Sequence, residues 1–157
     1  MIVGSGSVAK MLNDRDGALF FAAGVSNSNC QDYNEFSREI ELLRSMRQYD
    51  YLSLFYFSTI NSNESLKPYF IHKWDMEERV KHWFKNYNII RLGNIWECTN
   101  PNTFRNYIKD HPDTPIRDEY KYMISKEQLL LITDNLPLNG KHEISIFGTM
   151  KKVKDCI

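Results

Sequence analysis

Five short apolar runs alternate with longer stretches in which apolar residues recur at helical spacing. The runs are residues 1–3, 18–23 (ALFFAA), 51–57 (YLSLFYF), 88–92 (NIIRL) and 143–147 (EISIF). All but the first are rich in aromatic or β-branched side chains, which fit a pleated, half-buried surface and predict strands. Between them, residues 33–48 place Phe36, Ile40, Leu43 and Arg47 on one helix face, and residues 69–86 do the same for Tyr69, Lys73, Met76, Val80 and Trp83. Pro68 falls in the first turn of the second helix, where its missing N–H costs nothing. Shorter helices are predicted over 101–110 and, capped by Ser125, over 126–135, with a Pro- and Asp-rich loop at 111–119. Strands alternating with helices give the rhythm of parallel βαβ units, so the predicted fold class is α/β. No repeat, low-complexity tract or linker interrupts it, and 157 residues fit one domain, 1–157.

Charge and composition narrow the partners. Twenty basic and twenty acidic residues cancel, and the short KKVK at 151–154 is too small a patch to draw in nucleic acid or an anionic membrane. No run approaches the length of a membrane span, and Met1 leads directly into Ile-Val-Gly without a basic and apolar leader, so a soluble, cytoplasmic protein is expected. Cys30, Cys98 and Cys156 are odd in number and widely spaced, and His72, His82, His111 and His142 lack ligand spacing. Neither a disulfide framework nor a metal site is expected.

Three stretches could carry chemistry, each with an ordinary structural alternative. The first is GSGSVA at 4–9, between a short strand and a helical stretch. Gly4 permits a tight bend, Gly6 lets the backbone of Ser5, Ser7 and Val8 approach a pyrophosphate, and Ala9 allows close helix–strand packing; the alternative is a plain Gly turn. The second is FSTIN at 57–61, which puts the Ser58 and Thr59 hydroxyls at the carboxyl end of a strand, where parallel sheets bind ligands; the alternative is Ser/Thr turn chemistry. The third is YFIHK at 69–73, where the i, i+4 spacing aims Tyr69 and Lys73 the same way; the alternative is a solvated helix face. A nearby ammonium lowers a phenol from its usual pKa of about 10, which is what an acid/base tyrosine needs. Tyr122 and Lys126 share that spacing, but the KYMIS stretch reads as a strand ending at the cap Ser125, which separates them onto different elements.

Taken in order, GSGSVA, FAAG, FST, YFIHK and RLGNIW resemble the short-chain dehydrogenase/reductase superfamily, closest to its extended or atypical NAD-dependent epimerase/dehydratase branch. The resemblance implies a Rossmann-like parallel sheet with flanking helices and a small C-terminal substrate-binding portion over about 97–142. It implies that Gly4, Ser5, Gly6, Ser7 and Val8 hold NAD or NADP, with Ala22, Ala23 and Gly24 beside them and Gly93 and Asn94 also at the cofactor. Thr59, in preference to Ser58, would bind the substrate oxygen, and Tyr69 would exchange the proton. Lys73 would lower the Tyr69 pKa and bind the nicotinamide ribose. Arg91, Gly93, Asn94 and Trp96 would lead into the substrate region, and the segment 120–136 would supply the family's later strand and helix. The implied activity is that of an NAD(P)-dependent oxidoreductase or epimerase acting on a small carbonyl or hydroxyl compound or a nucleotide sugar. Members of the family commonly dimerise through the helices corresponding to 33–48 and 69–86, so a homo-oligomer burying Trp74, or the outward parts of Trp83 and Phe84, is expected.

Three departures shape these expectations. Only residues 10–21 separate Ala9 from Ala22, too few for the family's second and third strands, so that half of the sheet is expected to be reduced or missing. No acidic residue follows the Gly-rich turn at the place that binds the NAD ribose, and Arg15 in the shortened loop is the candidate partner for a 2′-phosphate. Thr59 and Tyr69 lie close in sequence, so the intervening NSNESLKP is a trimmed active-site loop. The rival reading is a catalytically inactive dinucleotide-binding or structural protein that keeps the fold.

Overall fold

A computed structural model describes residues 1–60, 66–101, 103–116 and 118–156. Most of the NSNESLKP loop, including Asn61 of FSTIN, therefore lies outside the described residues, as do Asn102 and Arg117. In chain order the elements are β1 (Ile2–Val3), α1 (Ser7–Met11), β2 (Ala18–Phe21), α2 (Tyr33–Ser45), β3 (Ser53–Thr59), α3 (Pro68–Trp83), β4 (Tyr87–Leu92), β5 (Asn94–Ile95), α4 (Phe104–Asp110), β6 (Tyr120–Ile124), α5 (Lys126–Asn135), β7 (Lys141–Ile146) and β8 (Thr149–Lys152). Single 3₁₀ turns follow α2 and close the described chain.

Strands β1, β2, β3, β4 and β7 form one parallel sheet in that spatial order. Strands β2, β3 and β4 are buried on both faces, as the middle of an all-parallel sheet requires, while β7 at the edge is partly exposed, and the side chains alternate between two cores. Phe20, Phe55, Phe57, Ile90 and Leu92 pack with Met11 and Leu12 at the end of α1 and Leu129 of α5. Leu19, Phe21, Leu54, Tyr56 and Ile89 pack with Leu43 of α2 and with Met76 and Val80 of α3.

The Rossmann-like α/β fold is thus present, and it ends at β1. No described strand pairs with the outer edge of β1, so the half-sheet expected to be missing is missing. Because spatial order follows chain order, every connection steps the same way across the sheet. With α2 and α3 on one face and α1 and α5 on the other, the β1–β2 and β4–β7 connections have the opposite hand from the two between them. Parallel crossovers nearly always share one hand. In a complete doubly wound sheet the chain leaves the first strand for strands on its far side before crossing back; here it steps straight to β2 while α1 keeps its face.

Element ends follow local chemistry. Asp32 caps α2 by accepting the Asn34 N–H at 2.9 Å. Pro68 opens α3 as expected, and α3 stops at Trp83 because Phe84 turns extended and puts its ring in the core. Ser125 and Gln128 form a reciprocal capping box on α5. The run at 51–57 is shifted: Tyr51 is exposed in a turn, and β3 continues through Ser58 and Thr59. Sequence patterning missed a second, mixed sheet in which β6 pairs parallel with β5 and antiparallel with β8. Its flanking strands are a two-residue segment and the polar TMKK. Among the described residues no helix is long and apolar enough to cross a membrane, and no group of three His, Cys, Asp or Glu could hold a metal.

Candidate functional site

The site expected from sequence lies along the carboxyl edge of the main sheet, where the turn after β1, the loop after β2, the end of β3 and the start of α3 converge. Gly4 adopts φ +128°, and a Cβ there would lie 2.4 Å from the Ala22 carbonyl oxygen, so only glycine lets β1 turn beside β2. Gly6 precedes α1, and a Cβ on it would meet nothing within 4 Å. The backbone there can be approached, as a diphosphate requires. Ser7 does not point outward: its hydroxyl is 3.0 Å from that of Thr99. The amide of Asn100 likewise donates to the Ser26 hydroxyl at 2.8 Å. The segment after β5 therefore ties both neighbouring loops together across this edge.

Sequence reading missed the residue at the centre of the site, Glu39. It projects from α2 and is fully buried. Its Oε1 accepts from the Tyr56 hydroxyl at 2.9 Å and from Lys73 Nζ at 3.1 Å. Its Oε2 accepts from the Val25 N–H at 2.7 Å and from Lys73 at 3.5 Å, and lies 3.0 Å from His72 Nε2. The His72 ring stacks on Phe36 at 4.4 Å. Burial alone would push the Glu39 carboxyl up, but the Lys73 ammonium, the His72 hydrogen bond and the Val25 N–H hold it well below the usual carboxylate range. Gly24 owes its identity to the same cluster, since a Cβ there would lie 2.6 Å from Lys73 Nζ and 2.7 Å from Glu39 Oε1.

Lys73 is only 3% exposed, and its third hydrogen bond goes to the Tyr56 oxygen at 3.3 Å. The ammonium thus lies against Glu39 and Tyr56 inside the core. Tyr69, one turn earlier, packs with Val25 and Phe36. Lys73 Nζ sits 5.9 Å from its ring centre. The expected lowering of the Tyr69 pKa is reversed: burial raises it, the pull of Lys73 is weaker, and Glu39 adds to the rise. The spacing did bring the two residues onto one face, and Lys73 still pulls the phenol down, but burial outweighs it.

The two hydroxyls of FSTIN lie within β3 and face opposite ways. By alternation Ser58 shares the face of Leu54 and Tyr56, which α3 covers, and Thr59 shares the face of Phe55 and Phe57. Ser58 is buried, and its hydroxyl has no hydrogen-bond partner among the described residues.

Arg91 donates to Glu77 at 3.0 and 3.1 Å through Nε and to Glu143 at 2.7 Å. Hydrogen bonding to Glu77 raises its pKa against the opposing effect of burial. A Cβ on Gly93 would lie 2.8 Å from the Tyr122 carbonyl oxygen, to which Asn94 donates at 3.3 Å, so both join the second sheet to the first. Arg15 donates through one terminal nitrogen to the carbonyls of Thr133 and Leu136 at 2.9 and 2.8 Å, closing the C-terminal end of α5.

Of what a nicotinamide dinucleotide needs, the structure keeps the backbone turn for the diphosphate. Among the described residues no strand flanks β1 on the side where the family carries the adenosine half. The residues present therefore do not fit the whole group.

No protein-family model matches the chain, and neither does any curated protein sequence. Solved structures do match in fold. UDP-glucose 4-epimerase of Thermus thermophilus, in complex with NAD, superposes with a TM-score of 0.66 at 13% identity over 89% of this chain and 59% of its own. UDP-glucuronic acid 4-epimerase of Bacillus cereus, also holding NAD, gives 0.65 at 14% identity over 93% and 58%. Pen from Bacillus thuringiensis gives 0.67 at 13% identity over 88% and 48%. The chain thus has the Rossmann-like fold of NAD-dependent nucleotide-sugar epimerases and spans between about half and three-fifths of the length of these three.

Proposed function

We propose that this chain is a domain of short-chain dehydrogenase/reductase type that keeps the fold and is silent in hydride transfer. One observation carries this reading: the lysine that would bind the ribose and activate the phenol is buried against Glu39 and Tyr56. An acid/base tyrosine beside it is left buried, with its pKa moved away from neutrality. A second reading is a competent NAD(P)-dependent oxidoreductase or epimerase acting on a small carbonyl, hydroxyl or nucleotide-sugar substrate. It is favoured by the survival of Gly4, Thr59, Tyr69 and Lys73 in family order and by the NAD-dependent epimerases that share the fold.

Titration with NADH and NADPH, followed by nicotinamide fluorescence and calorimetry, separates them. Silence predicts no saturable binding of either up to millimolar concentration. Micromolar binding, with a turnover that Tyr69→Phe lowers about 10²- to 10⁴-fold, would establish the second reading instead.

We also propose that copies associate through α2 and α3. Phe84 is core and Trp83 is covered by Arg44, Arg47 and Arg79 at 5.5–5.9 Å, which leaves Ile71 and Trp74, each about half exposed, as the apolar surface of α3. Trp74→Glu is expected to convert a dimer to a monomer by light scattering. A wild-type monomer at micromolar concentration would overturn this.

A further inference from the structure

Residues 24–31, in the loop between β2 and α2, lie against Tyr69 and Lys73. Gly24 passes the buried ion pair so closely that a Cβ on it would lie 2.6 Å from Lys73 Nζ and 2.7 Å from Glu39 Oε1. Val25 then turns inward. Its side chain packs with Phe36 near the start of α2 and Tyr69 near the start of α3, and its N–H donates to Glu39 Oε2 at 2.7 Å.

Few contacts hold this stretch. Val25, 7% exposed, is its one buried residue, while Ser26, Ser28, Asn29 and Gln31 are exposed. Val25, Phe36 and Tyr69, with Cys30 and Phe70 partly buried beside them, form a cluster of their own, apart from the two cores that flank the sheet. Among the described residues, two hydrogen bonds tie residues 24–31 to other elements. One is Val25 N–H to Glu39, and in the other the Ser26 hydroxyl accepts from the Asn100 amide at 2.8 Å. The N–H groups of Asn29 and Cys30 bond only locally, to Asn27. A cavity of about 120 Å³ lies between Ser28, Asn29, Cys30 and Gln31 and the Lys67–Pro68 start of α3, so the far half of the stretch is incompletely packed.

Both ends are anchored. Before the stretch, the Ala22 N–H donates to the Val3 carbonyl at 2.8 Å, and after it Asp32 caps α2. Lifting residues 24–31 between these anchors breaks the Val25 and Ser26 bonds, parts Val25 from Tyr69 and uncovers Lys73 and Glu39, while both cores stay packed. A segment with one buried side chain and two tethers opens at a lower free energy than the strands beneath it.

We propose that residues 24–31 form a lid, latched by Val25 on Glu39 and by Ser26 on Asn100, whose opening lets solvent or a ligand reach Tyr69 and Lys73. A ligand that needs those groups binds only the open fraction, and its apparent affinity falls by that fraction. The inference concerns how the site is closed and holds whether or not it performs hydride chemistry.

Amide hydrogen exchange on the full chain would compare Val25 with Leu54, which is fully buried in β3 and donates to the Asn86 carbonyl at 3.0 Å. The Val25 amide is expected to be protected, yet to exchange about 10²-fold or more faster than that of Leu54. Val25→Ala trims the wedge and keeps the N–H. It is expected to raise exchange at residue 25 about tenfold, and acetylation of Lys73 by a small amine-reactive ester, read by mass spectrometry, in the same proportion. Ile90→Val, in the core on the other face of the sheet, is expected to speed Leu54 several-fold and to leave the Val25 amide and Lys73 acetylation unchanged. Four results would each overturn the lid: Val25 exchange as slow as that of Leu54, Val25 exchange as fast as in a free peptide, acceleration of Val25 or Lys73 by Ile90→Val, or indifference of Lys73 acetylation to Val25→Ala.

Discussion

Replacing Lys73 by Met is expected to destabilise the protein by about 3–5 kcal/mol, the range for breaking one side of a buried ion pair. At about 2–4 °C per kcal/mol for a chain of this size, that is a drop in Tm of roughly 6–20 °C. Glu39 is the reason. Fully buried, it would keep the Val25 N–H, the Tyr56 hydroxyl and the neighbouring His72 but lose the Lys73 ammonium. The pH dependence follows from the same group. Because the folded-state pKa of Glu39 is depressed, its contribution is complete above the ordinary carboxylate value, about 4.5, and is lost as pH falls toward the folded value. Without Lys73, burial dominates and the acid transition moves to higher pH. The double variant Glu39→Leu with Lys73→Met removes both charges and is expected to recover most of the loss. A lysine retained for a cofactor's ribose, with its charge in solvent, could be removed at little cost to stability. A melting curve for Lys73→Met within a degree or two of wild type would therefore end the structural account of this residue.

That account was partly legible in the sequence. The order of strands and helices, the cap at Ser125 and the Pro68 start follow from periodicity and turn chemistry, which act locally, and the missing half-sheet follows from setting the spacing against the family resemblance. YFIHK also does what its spacing says, placing Tyr69 and Lys73 on one face. What decides their chemistry is an acid on a different helix, far away in the chain. Glu39 falls on the apolar stripe of α2, between Phe36 and Leu43, and a charged residue on a core face must find a partner. That signal was present. Choosing Lys73 and Tyr56 as its partners required the packing of α2 on α3 and β3, which no single segment encodes. Gly24 and Gly93 stand where the family's cofactor pattern has glycines, and each also has a close contact within the protein that a side chain would fill. The second sheet was illegible for a simpler reason, since strands of two residues and TMKK carry no period to read.

Arg91→Met is expected to be as damaging, about 3–5 kcal/mol, because Arg91 joins α3 to the far side of the sheet. Its guanidinium meets Glu77, 1% exposed on α3, and Glu143, 39% exposed on β7. Lys81 of α3 reaches Glu143 as well, at 3.2 Å. The two acids are not equivalent. Glu77 is enclosed, whereas water can take over for Glu143, so Glu143→Gln is expected to cost no more than about 1 kcal/mol. Arg91→Lys keeps the charge but cannot present two donors to Glu77 and one to Glu143 in a single plane, so it should fall between them. The order Met, Lys, then Glu143→Gln in urea midpoints is the test. If Arg91→Met unfolds at the wild-type midpoint and instead changes the binding of a nicotinamide dinucleotide or sugar nucleotide, Arg91 faces ligand as the family resemblance implies. In that case the network through Glu77 is incidental, and the second functional reading gains the residue it most lacks: a cation free to act at the carboxyl edge.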